Sequence, residues 1–155
     1  MSNVIFRLAR TDEGPALQLL NEEVFIDNHQ YDPDLKLDWA RSAEGEKYFQ
    51  ELVNDTNSCC IVADDLGKLA GYVAASPREF SYRHSRYLEV DNMGVSPAYR
   101  SQGLGGALMQ ECRTWARKHG YDKLYVNCYA KNEKALAFYK KCGFDIIDMS
   151  LEMKV

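Results

Sequence analysis

A glycine-rich turn, Arg100-Ser101-Gln102-Gly103-Leu104-Gly105-Gly106, joins a strand-like run over residues 87–95 to a helical pattern. A turn of this kind presents successive backbone N–H groups at the positive end of a helix dipole, which suits phosphate oxygens. Its glycines lack Cβ atoms, so a pyrophosphate can come close to the backbone. The run before it carries Glu89 and Asp91. Alternation along a strand puts both carboxylates on one face. Further on, Tyr139 follows Asn132 by seven residues, so both lie on one side of a helix, two turns apart. A carboxylate can take a proton and a phenol can give one.

Three pyrophosphate-binding loops use glycines in this way. A Walker A loop needs a Lys-Ser or Lys-Thr after the glycines, and none follows here. A dinucleotide fingerprint needs a third glycine where Leu108 stands. Arg100-x-x-Gly103-x-Gly105 fits the Arg/Gln-x-x-Gly-x-Gly/Ala loop of acetyl-coenzyme A-dependent transferases without adjustment. A second motif, Asn132-x-x-Ala135-x-x-x-Tyr139-x-x-x-Gly143-Phe144, runs through a short helix into a strand. With both motifs in this order, the chain closely resembles the GNAT family of N-acetyltransferases, most strongly from about Tyr87 to Phe144.

The resemblance implies an acetyltransferase that uses acetyl-CoA as co-substrate and a small-molecule or protein amine as acceptor. Ser101, Gln102, Gly103, Leu104, Gly105 and Gly106, with Arg100, then cradle the pyrophosphate. Met93, Gly94 and Val95 run beside the pantetheine, and Asn132 contacts it. A glycine at position 94 signals a bulge or a close backbone approach. Acetyl transfer to an amine requires the amine to lose a proton. An alkylammonium of pKa near ~10.4 is neutral in roughly one molecule per 10³ at pH 7. Glu89 and Asp91 both fall where the family carries a general base, and Glu89 is the preferred one. Tyr139 is the general acid for the departing thiolate. The competing reading is a non-catalytic acyl-CoA-binding regulatory module, and the presence of Glu89, Asp91 and Tyr139 argues against it.

The surrounding composition restricts the alternatives. The 155 residues suit one domain, residues 1–155, and the chain is 46% hydrophobic and 27% charged. A net charge of −4 disfavours general nucleic-acid binding. No apolar run approaches a membrane span, and the first residues carry no signal-peptide pattern, so the expectation is a cytoplasmic protein with no membrane partner. A homodimer is left open. The five cysteines are odd in number and form no Cys-x-x-Cys pair, which reads as reduced thiols and no metal site. Acids and aromatics between residues 27 and 39 (Asp27, Asp32, Asp34, Asp38, His29, Tyr31, Trp39) suit a cationic acceptor. Arg78, Arg83, His84 and Arg86 form a basic cluster, read chiefly as a solvated turn.

The elements that must hold these groups follow from periodicity. Strands are expected over residues 4–8, 58–63, 69–75, 86–95 and 123–128. Helices are expected over 11–27, with Thr11 as cap and Ala16, Leu19, Leu20 and Val24 as its apolar stripe, and over 44–53, 103–118 and 132–142. Residues 144–155 supply one long or two short strands. This order is an α/β fold: a GNAT-type mixed, mostly antiparallel twisted sheet with helices on both faces. The resemblance adds that the sheet splays between its fourth and fifth strands.

Overall fold

The computed structural model describes residues 3–155. Strand β1 (Val4–Leu8) and helix α1 (Gly14–Asn28) open the fold, and α2 (Ala43–Asn54) follows after a 3-10 turn at Trp39–Arg41. Strands β2 (Cys59–Asp65), β3 (Lys68–Arg78) and β4 (Tyr87–Val95) come next. Helix α3 (Leu104–Lys118), strand β5 (Lys123–Val126) and helix α4 (Glu133–Cys142) complete the order. One sheet contains all five strands in the order β1-β2-β3-β4-β5, antiparallel except for the parallel pair β4–β5.

Alternation along β2 decides what each face of the sheet buries. Cys59, Ile61 and Ala63 face the core under α3, with Leu104, Leu108 and Cys112. Cys60 and Val62 face the core under α1 and α2, with Leu17, Leu20, Phe49 and Leu52. Helices therefore cover both faces, as in an α/β layer fold. Arg7 pins the first elements together. It donates to Glu13 at 2.6 and 2.9 Å and to Asp64 at 2.8 and 3.0 Å, linking β1, the start of α1 and the β2–β3 hairpin. Its guanidinium, through these hydrogen bonds, holds both carboxyl groups below their ordinary pKa.

Several expectations need correction. Helix α1 starts at Gly14 with Glu13 at the cap and Pro15 in the first turn, so Thr11 lies outside it. Its buried stripe is Leu17, Leu20 and Asn21, while Leu19 is exposed. β5 ends at Val126 rather than 128, because β4 peels away from it there. The largest difference concerns residues 144–155, which form no strand here; the amide of Phe144 bonds Tyr139, and no backbone hydrogen bond follows. The alternating pattern is present, but among the described residues no strand pairs with it.

Candidate active site

β4 is where the site is built. It pairs with β3 from Tyr87 to Val95, but with β5 only from Tyr87 to Val90. Past Val90 the edge of β4 that faces β5 has no strand partner. This is the expected splay, and it opens a cleft between the two strands.

A bulge re-aims the residues at that cleft. Ala74 pairs with Asn92 and Ala75 with Val90, so Asp91 is the extra residue. A bulged residue leaves the regular alternation. Ser76 faces Glu89 across the ladder and also donates to Asp91 at 2.7 Å, so both carboxylates share the face toward α1 and α2. Asn92 joins them there. It donates to the Tyr48 hydroxyl at 3.0 Å and accepts from the Tyr72 hydroxyl at 2.5 Å; Asn21 donates to Tyr72 at 2.9 Å. Strict alternation would aim Asn92 away from Asp91, so sequence reasoning missed this network. The one available signal was a second polar residue directly after Asp91, which breaks the alternation of the strand.

The two carboxylates differ in company. Glu89 accepts from Asn127 at 3.1 Å and lies 3.6 Å from Arg78. Asp91 reaches solvent, yet enough protein surrounds its carboxyl group for desolvation to raise its pKa, with the Glu89 charge adding to the rise. Tyr48, beside it, is raised by burial and then by the Asp91 charge.

Tyr139 lies on α4, its ring against Phe138 and Phe144. Burial, then Cys128 and Cys142, push its pKa up to about 12. Among the described residues its hydroxyl has no hydrogen-bond partner. Asn132 caps α4, its Oδ1 accepting from the Ala135 amide at 3.0 Å, which explains the Asn-x-x-Ala spacing locally.

The glycine-rich loop leads into α3 through a left-handed turn. Ser101 and Gly103 have φ of +62° and +84°, and Gly103 is the N-cap of α3. Positive φ at both residues turns the chain sharply into the helix. Among the described residues, no acceptor takes the backbone N–H groups from Ser101 to Gly106; the first helical bond runs from the Ala107 amide to the Gly103 carbonyl. Arg100 instead holds the chain around the loop. It donates to the Val95 carbonyl at 3.0 Å and to Asp27 at 2.7 Å. Gly94 is required by packing, since a Cβ there would lie 2.7 Å from Val24 of α1. The close approach is therefore that of α1, and the bulge lies three residues earlier.

The acids of the α1–α2 connection go to separate partners, whereas Arg78 and Arg83 both pack over the Phe80 ring. Asp27 pairs with Arg100, and Asp32 accepts from Tyr129 at 2.8 Å. Arg78 pairs with Glu89, Arg83 stacks 4.4 Å over Phe80, and Arg86 bonds carbonyls of residues 119 and 120. The contact of Asp32 with Tyr129, and of Tyr31 stacked on the same ring, ties the α1–α2 connection to the chain beyond β5.

Fold and loop define a class, and comparison identifies it. Residues 18–144 match the acetyltransferase (GNAT) family, and the chain belongs to that family. The family's co-substrate is acetyl-CoA. An uncharacterised N-acetyltransferase of Methanocaldococcus jannaschii is 30% identical over 111 residues, covering 71% of this chain and 47% of its own length. The chain thus spans about half the length of the sequence relatives it matches. Among solved structures, a variant of the BH1408 protein of Bacillus halodurans superposes with a TM-score of 0.82 at 19% identity, covering 97% of this chain and 99% of its own. The aminoglycoside N-acetyltransferase AAC(6')-Iy, in complex with CoA, gives 0.77 at 15% identity, covering 100% and 96%.

Proposed function

We propose that this chain transfers an acetyl group from acetyl-CoA to a primary amine by direct attack in a ternary complex. The observation that carries the reading is the convergence of three features on one opening. These are the unpaired edge of β4, a desolvated carboxylate at its mouth, and a loop of free N–H groups at its end. The loop fits a pyrophosphate, and the open β4 edge past Val90 fits an extended amide-bearing arm that adds like a strand. Acetyl-CoA supplies an acyl group activated as a thioester.

Asp91 takes the ammonium proton, directly or through water. Its raised pKa brings it nearer the operating pH, where a base is most effective. Glu89, held by Arg78 and Asn127, orients the cationic end of the acceptor. Tyr139 stays protonated and donates to the departing sulfur. Burial raises the Cys128 and Cys142 thiols, which keeps them protonated and supports direct attack over an acyl-cysteine. The acceptor is a cationic small molecule or a protein amine, since Asp91 and Glu89 share the face that it would meet; aminoglycosides, on which a structural neighbour acts, are polyamines of that kind. Five free cysteines fit a reducing, cytoplasmic setting. Among the described residues no helix is long and apolar enough to cross a membrane.

A panel of amines assayed for free CoA tests the activity. Turnover with at least one cationic primary amine is expected. Tight acetyl-CoA binding with no turnover across the panel would overturn catalysis in favour of a regulatory acyl-CoA module.

The loop assignment has its own test. Gly106 is the third residue after the Gly103 cap, and a Cβ there meets nothing within 4 Å. A glutamate at that place can reach back to the cap amide. Gly106→Glu should stabilise the unliganded protein by roughly 0.5–1 kcal/mol through helix propensity. It should also weaken CoA binding about 10- to 100-fold by occupying the anion site. Calorimetry showing wild-type affinity in the folded variant would move the pyrophosphate elsewhere.

A further inference from the structure

The bulge at Asp91 sets two successive polar residues of β4 on the face toward α1 and α2, and the contacts of the second form one chain. Asn21, buried on α1, donates to the Tyr72 hydroxyl of β3 at 2.9 Å. Tyr72 donates to the Asn92 side-chain carbonyl at 2.5 Å. The Asn92 amide donates to the Tyr48 hydroxyl of α2 at 3.0 Å. Every donor therefore runs the same way, from α1 through β3 and β4 to α2. A hydroxyl has one proton and two lone pairs. Tyr72 gives its proton to Asn92, but Tyr48 only accepts from Asn92, so its own proton is left for a further acceptor. The ring that carries this hydroxyl is held, edge-on to Phe49 with centroids 4.8 Å apart and tilted against Trp39 at 5.7 Å. The acceptor beside it is the Asp91 carboxylate, which also takes the Ser76 hydroxyl at 2.7 Å.

We infer that Tyr48 is a positioning residue for the proton acceptor: its hydroxyl donates to the Asp91 carboxylate, and the Asn21–Tyr72–Asn92 chain sets the direction of that bond. The inference rests on the reading of Asp91 as the base. An ionised carboxylate has no proton to give, so it ends the chain and fixes its sense. A Tyr48 that donates to Asp91 must accept from the Asn92 amide; the Asn92 carbonyl is then left for Tyr72, and the Tyr72 oxygen for Asn21. The far end agrees, since the Asn21 side-chain carbonyl has no partner among the described residues. Ser76 from β3 and Tyr48 from α2 then hold the carboxylate and leave about two of its roughly four lone-pair sites for the ammonium. The donors also oppose the burial of the charge. Desolvation raises the Asp91 pKa and Glu89 adds to the rise, while the hydrogen bonds from Ser76 and Tyr48 lower it. Arg78 of β3 bears on the pair through Glu89, 3.6 Å away, and Cys60 of β2 acts on Tyr48. Burial, then the Asp91 charge, raise the Tyr48 pKa, so the phenol keeps its proton wherever Asp91 is ionised and at work.

The side-chain carboxyl carbon resonance of Asp91, assigned by its loss in Asp91→Asn, reads the bond without any turnover. In Tyr48→Phe, which keeps the ring against Phe49 and Trp39, the Asp91 pKa should rise by about 0.5–1 pH unit, the share of one lost donor. The acid limb of log(kcat/KM) should move up by the same amount. Above that limb kcat/KM should fall about tenfold through lost aim, with acetyl-CoA affinity within about twofold. A hydroxyl that merely filled space on α2 would leave the carboxyl titration where it was. An unmoved titration in folded Tyr48→Phe would therefore overturn the inference and leave Asp91 standing as the base. A titration that shifts while the kinetic limb stays fixed would remove Asp91 as the base, and the positioning role with it. Because the phenylalanine variant leaves the Asn92 amide unpartnered, a second replacement keeps the hydroxyl. A ring-fluorinated tyrosine at position 48 has a more acidic phenol and is a stronger donor, so the Asp91 pKa should fall. A value unchanged or raised there would exclude the hydrogen bond.

Discussion

Tyr139→Phe should lower kcat by roughly 10²–10³ and leave acetyl-CoA affinity within about twofold. The substitution removes one hydroxyl and keeps the ring, so the packing against Phe138 and Phe144 is retained. That hydroxyl donates to nothing among the described residues, so no internal hydrogen bond is broken. Its pKa, pushed up to about 12 by burial, has a mechanistic consequence. A thiolate with pKa near ~8.5 does not strip a proton from so weak an acid at equilibrium. The phenol therefore acts by hydrogen-bonding charge as it develops on sulfur, with proton transfer completed as the product leaves. Such an interaction exists only in the transition state, so it appears in kcat and not in ground-state binding. Single-turnover kinetics isolate the chemical step. A wild-type rate there would make Tyr139 a packing residue of α4. The same pKa predicts no alkaline limb from Tyr139 below about pH 11.

What the sequence revealed and what it hid divide along the range of the interactions. The loop from Arg100 to Gly106 was legible because its chemistry is local: free N–H groups and positive φ are properties of a few successive residues. The order of elements along the chain was legible because strand and helix periods alternate cleanly from Val4 to Cys142. The bulge at Asp91 was not legible. It depends on how β3 and β4 register over nine residues, and it is what brings Asn92 and Asp91 to the same side. Gly94 was read as a bulge or a close backbone approach; the contact there is with the Val24 side chain of α1, which could not be read from β4 alone. The acids between residues 27 and 38 looked like one cluster because they are near in sequence. A helix end and a bent connection instead send Asp27 to Arg100 and Asp32 to Tyr129. Residues 144–155 show the converse. Their alternation led to one long or two short strands being expected, and the structure forms none, because alternation alone supplies no neighbour to pair with.

Asp91→Asn is the sharpest test of the proton acceptor, because it should separate activity from stability. At neutral pH kcat/KM should fall roughly 10²–10³. Near pH ~10, where free amine is abundant without help, the loss should shrink to about tenfold or less. In the wild type, log(kcat/KM) should rise as Asp91 loses its proton, at a pH above the usual ~3.9 because desolvation raises its pKa. The variant should lack that limb. Glu89→Gln should keep it and lose acceptor affinity instead, since Glu89 is already held by Arg78 and Asn127. Stability should move the other way. A carboxyl group whose folded pKa is raised contributes stability that is complete below its unfolded pKa and lost as pH rises through the folded one. At pH 7 the ionised Asp91 is therefore a burden on the fold. Asparagine carries no charge and can still accept from Ser76. The melting temperature of Asp91→Asn at pH 7 should equal or exceed that of the wild type, with the difference vanishing below about pH 4. Equal rate losses at pH 7 and pH 10 with the acid limb intact would remove Asp91 as the base. The amine would then reach the cleft already neutral, or pass its proton through the Tyr48–Asn92 network.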